Sequence, residues 1–197
     1  MKIILSTRNP SKADQIKGVF HDDRFEIITL TEAGIEGEVI EDGNTLEENA
    51  TKKAMFAYEK AKGEWVMADD TGIFINALEG APGIKAARWA GENATTLDIM
   101  NFTLKNLEGS LDRSAYFETV AVLVSPEGEK YVFSGRADGI LLEQPRIEPQ
   151  PSMPYSPLFQ PNGYDKTWAE MTIDEENAIS HRGKAFIQVK DFLLNIK

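Results

Sequence analysis

The chain has 197 residues, 42% hydrophobic and 27% charged, which is ordinary globular composition for one domain or one domain with two lobes. A formal net charge of −11 argues against binding to a nucleic acid polymer or an anionic membrane, since both need a basic surface. There is no cysteine for a disulfide framework or thiolate chemistry, and no run near the roughly 20 apolar residues that span a bilayer. The apolar run at residues 1–6 is too short for a signal peptide and lacks a cleavage site, so a cytoplasmic protein is expected.

In chain order, residues 2–6 form a short apolar strand followed at once by Thr7-Arg8-Asn9-Pro10-Ser11-Lys12. Residues 11–20 have helical spacing, with Ile16, Val19 and Phe20 on one face and Ser11 as the expected N-cap. Residues 25–30 read as a strand. Residues 45–62 read as a strong helix, with a Thr45/Glu48 capping box and Gly63 as its stop. A buried strand over 65–68 then meets Asp69-Asp70 at an expected turn, and 72–78 continues as extended chain. Residues 95–107 form a second long helix, opened by Thr95 or Thr96 and stopped near Gly109. Residues 114–125 and 130–136 read as a hairpin around Pro126-Glu127-Gly128. The proline-rich stretch 144–162 reads as irregular loop, and 172–177 and 184–195 as late helices. Alternating helices and strands with an inserted hairpin predict an α/β core with a second lobe.

Four stretches carry candidate chemistry. Asp69 and Asp70 at the end of a buried strand need a partner, because an unpaired charge is costly to desolvate. A hard cation such as Mg²⁺ is one such partner, and turn amides are another. Residues 7–12 join a strand to a helix N-terminus, where free N–H groups and the helix dipole suit a phosphate. Thr7, Asn9 and Ser11 add neutral donors and Lys12 a cation; the competing reading is an ordinary capped turn. Glu41 precedes a helix on which Asn49 and Lys53, four apart, share a face, and it is within reach of the cleft that holds Asp70. That pattern also fits a solvated acidic loop. Ser180-His181-Arg182-Gly183, on a loop before a helix, can present an imidazole and a planar fork to an anion or a base edge. His21 reads as a surface residue at a helix end.

In order, these pieces are Thr7, Asn9 and Lys12, then Glu41, Gly43, Thr45, Glu48, Asn49 and Lys53, then Ala68-Asp69-Asp70-Thr71-Gly72. Pro82-Gly83 with Ala87-Arg88-Trp89-Ala90-Gly91 follows, then Arg113, Ala115 and Phe117, Ala169-Glu170-Met171, and Ile179-Ser180-His181-Arg182. Together they resemble the Ham1, or inosine triphosphate pyrophosphatase, family. The resemblance implies a single domain over residues 1–197. Its fold would be an α/β elongated mixed β-sheet flanked by helices, in two lobes with a central substrate cleft. It implies hydrolysis of noncanonical purine nucleoside triphosphates to monophosphate and pyrophosphate, which cleans the nucleotide pool, with Mg²⁺ as cofactor and a homodimer as assembly. By the same resemblance Thr7, Asn9, Lys12 and Lys53 hold the triphosphate. Glu41 and Asp70 bind the metal, Asp70 also activates water, and Thr71 touches the substrate.

The base-reading end departs from the family. Its Gly-Phe-Gly-aromatic-Asp-Pro loop is here Ser152-Met153-Pro154-Tyr155-Ser156-Pro157, and Glu176 stands where the family has lysine. Tyr155, Ser156, Glu176, His181 and Arg182 are therefore the expected base contacts, with an altered preference. A noncatalytic nucleotide-binding module that keeps the fold is the alternative function. A Mg²⁺-dependent phosphatase acting on another small ester is a third.

Overall fold

The computed structural model describes residues 1–61 and 63–196. Its centre is a mixed sheet of seven strands: β1 (Lys2–Leu5), β2 (Glu26–Thr29), β3 (Trp65–Ile75), β4 (Pro82–Gly83), β5 (Ser114–Val124), β6 (Lys130–Leu141) and β7 (Phe159–Pro161). The order is β2-β1-β3-β5-β6-β7, with β4 also on β3. β1 runs parallel to β2 and β3, in the register Ile3↔Ile27 and Leu5↔Met67. β3, β5 and β6 are antiparallel, from Val66↔Val124 to Ile75↔Ala115 along the first pair.

Five helices flank the sheet: α1 (Pro10–Val19), α2 (Leu46–Tyr58), α3 (Thr96–Asn106), α4 (Ile173–Ile179) and α5 (His181–Asn195). Strand side chains alternate between the two faces. On one face Ile3, Leu5, Met67, Ala121 and Leu123 pack with Ile16 of α1 and Phe186 and Val189 of α5. On the other, Ile4, Val66, Ala68 and Val122 meet the fully buried Ala50, Ala54 and Ala57 of α2. Alanine there lets the helix lie close to the sheet. A third cluster fills the far end of the first face, joining Ile73, Ile75, Phe117 and Leu141 to Ile99 and Met100 of α3 and to Phe159 and Trp168. None of the helices is long and apolar enough to cross a membrane, among the described residues.

Several predicted boundaries shift, each for a local reason. The cap of α1 is Asn9, whose side chain accepts the Lys12 N–H at 3.2 Å, and Ser11 sits inside the first turn. Pro10 fills the first helical position, where its missing N–H costs nothing. Thr45 caps α2 as expected, but the Glu48 carboxylate takes the Asn44 N–H instead of closing the box on Thr45. The helix ends at Tyr58, and its predicted last residue, Lys62, lies outside the described residues. There is no turn at Asp69-Asp70: β3 is one strand of 11 residues. Pairing of Asp69 with Ala121 and of Asp70 with Val120 overrides the weak strand preference of aspartate. The expected extended stretch ends at Ile75 and becomes a 3₁₀ turn, Asn76–Leu78. Part of the predicted proline-rich loop pairs as β7.

His181 and Arg182 are not on a loop. They open α5, because Ser180 ends α4 and its hydroxyl accepts the Gly183 N–H at 3.0 Å, so one residue caps both helices. Gly183 allows this corner, since a Cβ there would collide with the Asn177 carbonyl. Gly183→Ala is therefore expected to cost on the order of 1–3 kcal/mol through overpacking, despite alanine's better helix propensity. Urea unfolding measures it, and a variant as stable as the parent contradicts this packing.

Candidate active site

β1 stops at Leu5, while β3 runs on. The Ser6 N–H makes the last contact of that edge, to the Met67 carbonyl at 2.8 Å. β4 resumes pairing at Ile73. Among the described residues, the β1-side edge of β3 has no strand beside it from Ala68 to Gly72. A cleft of about 600 Å³ opens over this gap. The alternation of the strand turns Asp69 and Thr71 to one face and Asp70 to the other.

The two carboxylates have different partners. Asp69 is buried and accepts from Lys12 Nζ at 3.2 Å, Thr71 Oγ1 at 3.1 Å and Arg182 Nε at 3.4 Å. Asp70 accepts from Lys53 Nζ at 2.7 Å and from Asn49 Nδ2 at 3.2 Å. Lys53 also reaches Glu41 at 3.3 Å, so one ammonium spans two acids. Burial pushes both aspartates up. For Asp69 the surrounding cations Lys12, Arg182 and Lys53 outweigh it and hold the carboxyl well below its ordinary value. For Asp70 burial wins over Lys53, and the carboxyl is raised. Burial pulls Lys12 down, against Asp69. Burial also acts to lower Lys53, but its acids Asp70, Asp69 and Glu41 carry it up. Neighbouring carboxyls driven apart in this way are suited to two different tasks: Asp69 a fixed anion, Asp70 a proton acceptor.

The helix N-terminus offers less open backbone than the sequence suggested. Pro10 has no N–H, the Lys12 N–H is capped by Asn9, and the Ala13 N–H donates to the Asn9 carbonyl. Thr7 Oγ1 accepts from the Asn9 N–H at 3.2 Å. Anion binding at this end therefore falls to side chains, chiefly Lys12.

The other end of the cleft is aromatic. His181 is buried, stacked on Phe117 with centroids 4.8 Å apart and tilted against Trp168 at 4.7 Å. Its burial, with Arg182 beside it, lowers the imidazole well below its ordinary value, so the ring is neutral. Tyr155 is buried against Phe117 and donates its hydroxyl to the Ala86 carbonyl at 2.9 Å. Burial raises that hydroxyl, so Tyr155 serves as a wall and its hydrogen is already committed. Ser156, next to Tyr155, and Glu176, near Arg182 and Gln15, also line the cleft.

The structure brings the site residues implied by the family resemblance to this cleft: Thr7, Asn9, Lys12, Glu41, Lys53, Asp70, Thr71, Tyr155, Ser156, Glu176, His181 and Arg182; Ser11, offered as a further donor, instead gives its hydroxyl to the Pro151 carbonyl. Arg182 is placed differently from expectation. Its guanidinium faces inward, to Asp69, to Gln15 Oε1 at 2.6 Å and to Thr71 Oγ1 at 3.3 Å. Gln15, Thr119, Phe117 and Trp168 were not anticipated as site residues. Thr119 shares a 2.7 Å hydrogen bond with Thr71. Gln15 could have been found, since it lies three residues from Lys12 on one helix face.

The sequence profile of the Ham1 family matches residues 3–192. A dITP/XTP pyrophosphatase of Clostridium perfringens is 44% identical over 202 aligned positions, covering 99% of this chain and 98% of its own. One from Caldanaerobacter subterraneus subsp. tengcongensis is 42% identical, covering 98% and 96%. The solved structure of the Staphylococcus aureus Ham1 protein superposes with a TM-score of 0.85 at 33% identity over all of both chains.

The asymmetry of the two aspartates has a measurable consequence. Asp69→Asn strands buried cations and is expected to cost roughly 3–5 kcal/mol, whereas Asp70→Asn costs less, because burial already opposes that charge and Lys53 keeps Glu41 as a partner. The stability carried by Asp69 is full above the ordinary carboxylate range and is lost as pH falls through its depressed value. Asp70 acts in the opposite sense, its contribution being lost as pH rises through the raised value. Urea unfolding of both variants across pH checks this, and equal costs contradict it.

Proposed function

The chain belongs to the Ham1 family, and from that premise we propose that it hydrolyses noncanonical purine nucleoside triphosphates to the monophosphate and pyrophosphate. The observation that carries this reading is the divided aspartate pair at the open edge of β3, with Lys12 on one carboxylate and Lys53 on the other. A binding module needs the cations, but it has no use for a buried carboxyl kept raised beside them.

The residues divide the work. Lys12 and Lys53, with Thr7 and Asn9, hold the triphosphate, and the aromatic end takes the base. Asp69 keeps Lys12, Arg182 and Thr71 in place from below. A water lying against Asp70 attacks the phosphorus next to the ribose. Its proton passes to the Asp70 carboxylate as the bond to the departing pyrophosphate breaks. The raised carboxyl makes Asp70 the better base of the two.

Mg²⁺ fits this donor set. Among the described residues no group of three or more histidine, aspartate or glutamate side chains converges as a metal cage. Glu41 and Asp70, both on Lys53, instead form the kind of two-carboxylate site that Mg²⁺ completes with substrate phosphates and water. When bound, the ion would neutralise phosphate charge. A homodimer, a single domain over the whole chain and a cytoplasmic location belong to the same proposal.

The test separates anhydride hydrolysis from its alternatives. Incubated with Mg²⁺ and a panel of nucleoside triphosphates, the protein is expected to release pyrophosphate and not orthophosphate, and to stop in excess chelator. Asp70→Asn is expected to lower turnover by on the order of 10²–10⁴ while the protein stays folded. Activity within about tenfold of the parent, ~1.4 kcal/mol in barrier, overturns the role of Asp70.

A further inference from the structure

Asn49, near the start of α2, is almost wholly buried and lies behind the cleft, outside its lining. Its carboxamide touches two elements at once. Oδ1 accepts the Gly43 N–H at 2.8 Å, and Nδ2 donates to Asp70 Oδ2 at 3.2 Å. A main-chain N–H only donates and a carboxylate only accepts, so the amide has one possible orientation. Aspartate has the same shape but two acceptors, and would set oxygen against oxygen at Asp70. The approach from Gly43 is equally close. A Cβ there would lie 2.6 Å from Asn49 Oδ1 and 2.8 Å from the Glu48 Cβ. The other oxygen of Asp70, Oδ1, is on Lys53 at 2.7 Å. The terminal torsion of an aspartate is soft, so a carboxylate held at one oxygen can swing about it. Held at both, its plane is fixed. Through Gly43 the same amide also fixes the loop that carries Glu41. Arg88 Nη2 holds that loop from elsewhere in the fold, at the Glu41 carbonyl, 3.1 Å away.

We propose that Asn49 is a positioning residue. It holds the Asp70 carboxylate in the plane from which that group takes a proton from water, and it keeps the Glu41 loop in register with Asp70. This rests on the hydrolase reading, in which Asp70 is the base. Asn49 does not itself touch the substrate. Lys12, with Thr7 and Asn9, stays in place without it, because these residues belong to α1 and the turn before it. A general base turned away from its water loses rate and leaves substrate affinity largely as it was. A displacement of about 1 Å at a reacting group costs on the order of 10² in rate.

The experiment measures kcat and KM separately for pyrophosphate release from inosine triphosphate, in the parent, in Asn49→Asp and in Asn49→Ala. Asn49→Asp keeps the acceptor for Gly43 and loses the donor to Asp70, and Asn49→Ala loses both. Urea unfolding shows which variants are folded under the assay conditions. In each folded variant kcat is expected to fall by about tenfold or more, with KM within about threefold of the parent. A second readout needs no turnover. The ¹⁵N side-chain amide signal of Asn49, assigned by its absence in Asn49→Asp, is expected to shift in Asp70→Ala. A fall in kcat of less than about tenfold in a folded variant overturns the inference and leaves the hydrolase reading intact. So does a loss carried by KM alone, an amide signal indifferent to Asp70→Ala, or failure of both variants to fold, which would make Asn49 structural only. No pyrophosphate release by the parent from any nucleoside triphosphate overturns the hydrolase reading itself, and the inference with it.

Discussion

The site depends on a mismatch in strand length. β1 contributes only Lys2–Leu5, and β3 is Trp65–Ile75. A strand edge left open is a hazard, because its backbone groups invite pairing with another chain. Here the opening lasts only until β4 pairs with Ile73 and Phe74. The chain leaving β1 turns into α1 directly beside the opening, and the Ser6 hydroxyl donates to the Lys53 carbonyl at 2.8 Å, tying that turn to α2. The helices that carry Lys12 and Lys53 are thereby both fixed to the same gap. The strand beneath supplies alternating side chains, so a single Asp-Asp pair reaches both helices at once.

Charge then decides what the gap can do. The protein is strongly acidic, yet the cleft gathers Lys12, Lys53 and Arg182 around its buried carboxylates. Ion pairs buried in this way are weak contributors to stability, since desolvation offsets most of the attraction. Their arrangement is better explained by preorganisation: donors already aimed, and a carboxylate already basic, need no rearrangement when an anion arrives. Asp69 is the anion that lets three cations sit together. Asp70, with fewer cations near it, keeps the reactivity that Asp69 has lost.

Much of this was legible in the sequence, because the chemistry sits in short ordered motifs. Asp69-Asp70, Glu41 with Lys53, Thr7 to Lys12, and His181-Arg182 were singled out by residue type and spacing, and the structure brings them together. The hairpin, the long helices and the α/β class followed from apolar periodicity and caps. What was lost is what depends on distant partners. Asp-Asp-Thr-Gly reads locally as a turn, and only ten pairs with β5 make it strand. Asn9 displaced Ser11 as cap because Pro10 follows it, a one-residue shift that also closed the Lys12 N–H to a ligand. His181 and Arg182 read as loop residues ahead of a helix over 184–195, and Gly183 belonged to that loop. In the fold that glycine makes room for the Asn177 carbonyl. The inward turn of Arg182 required Gln15 and Asp69, residues 167 and 113 positions away, and no local pattern carries such a contact.

The claim on which all of this turns is that adjacent aspartates titrate apart. With ¹³C label in the aspartate carboxyls, and Asp69 and Asp70 assigned through single asparagine variants, an NMR titration of the nucleotide-free protein reads each group directly. The account predicts Asp69 ionised to well below the ordinary carboxylate range and Asp70 protonating above it. Two carboxyls titrating together near the ordinary value, or in the reverse order, would contradict it.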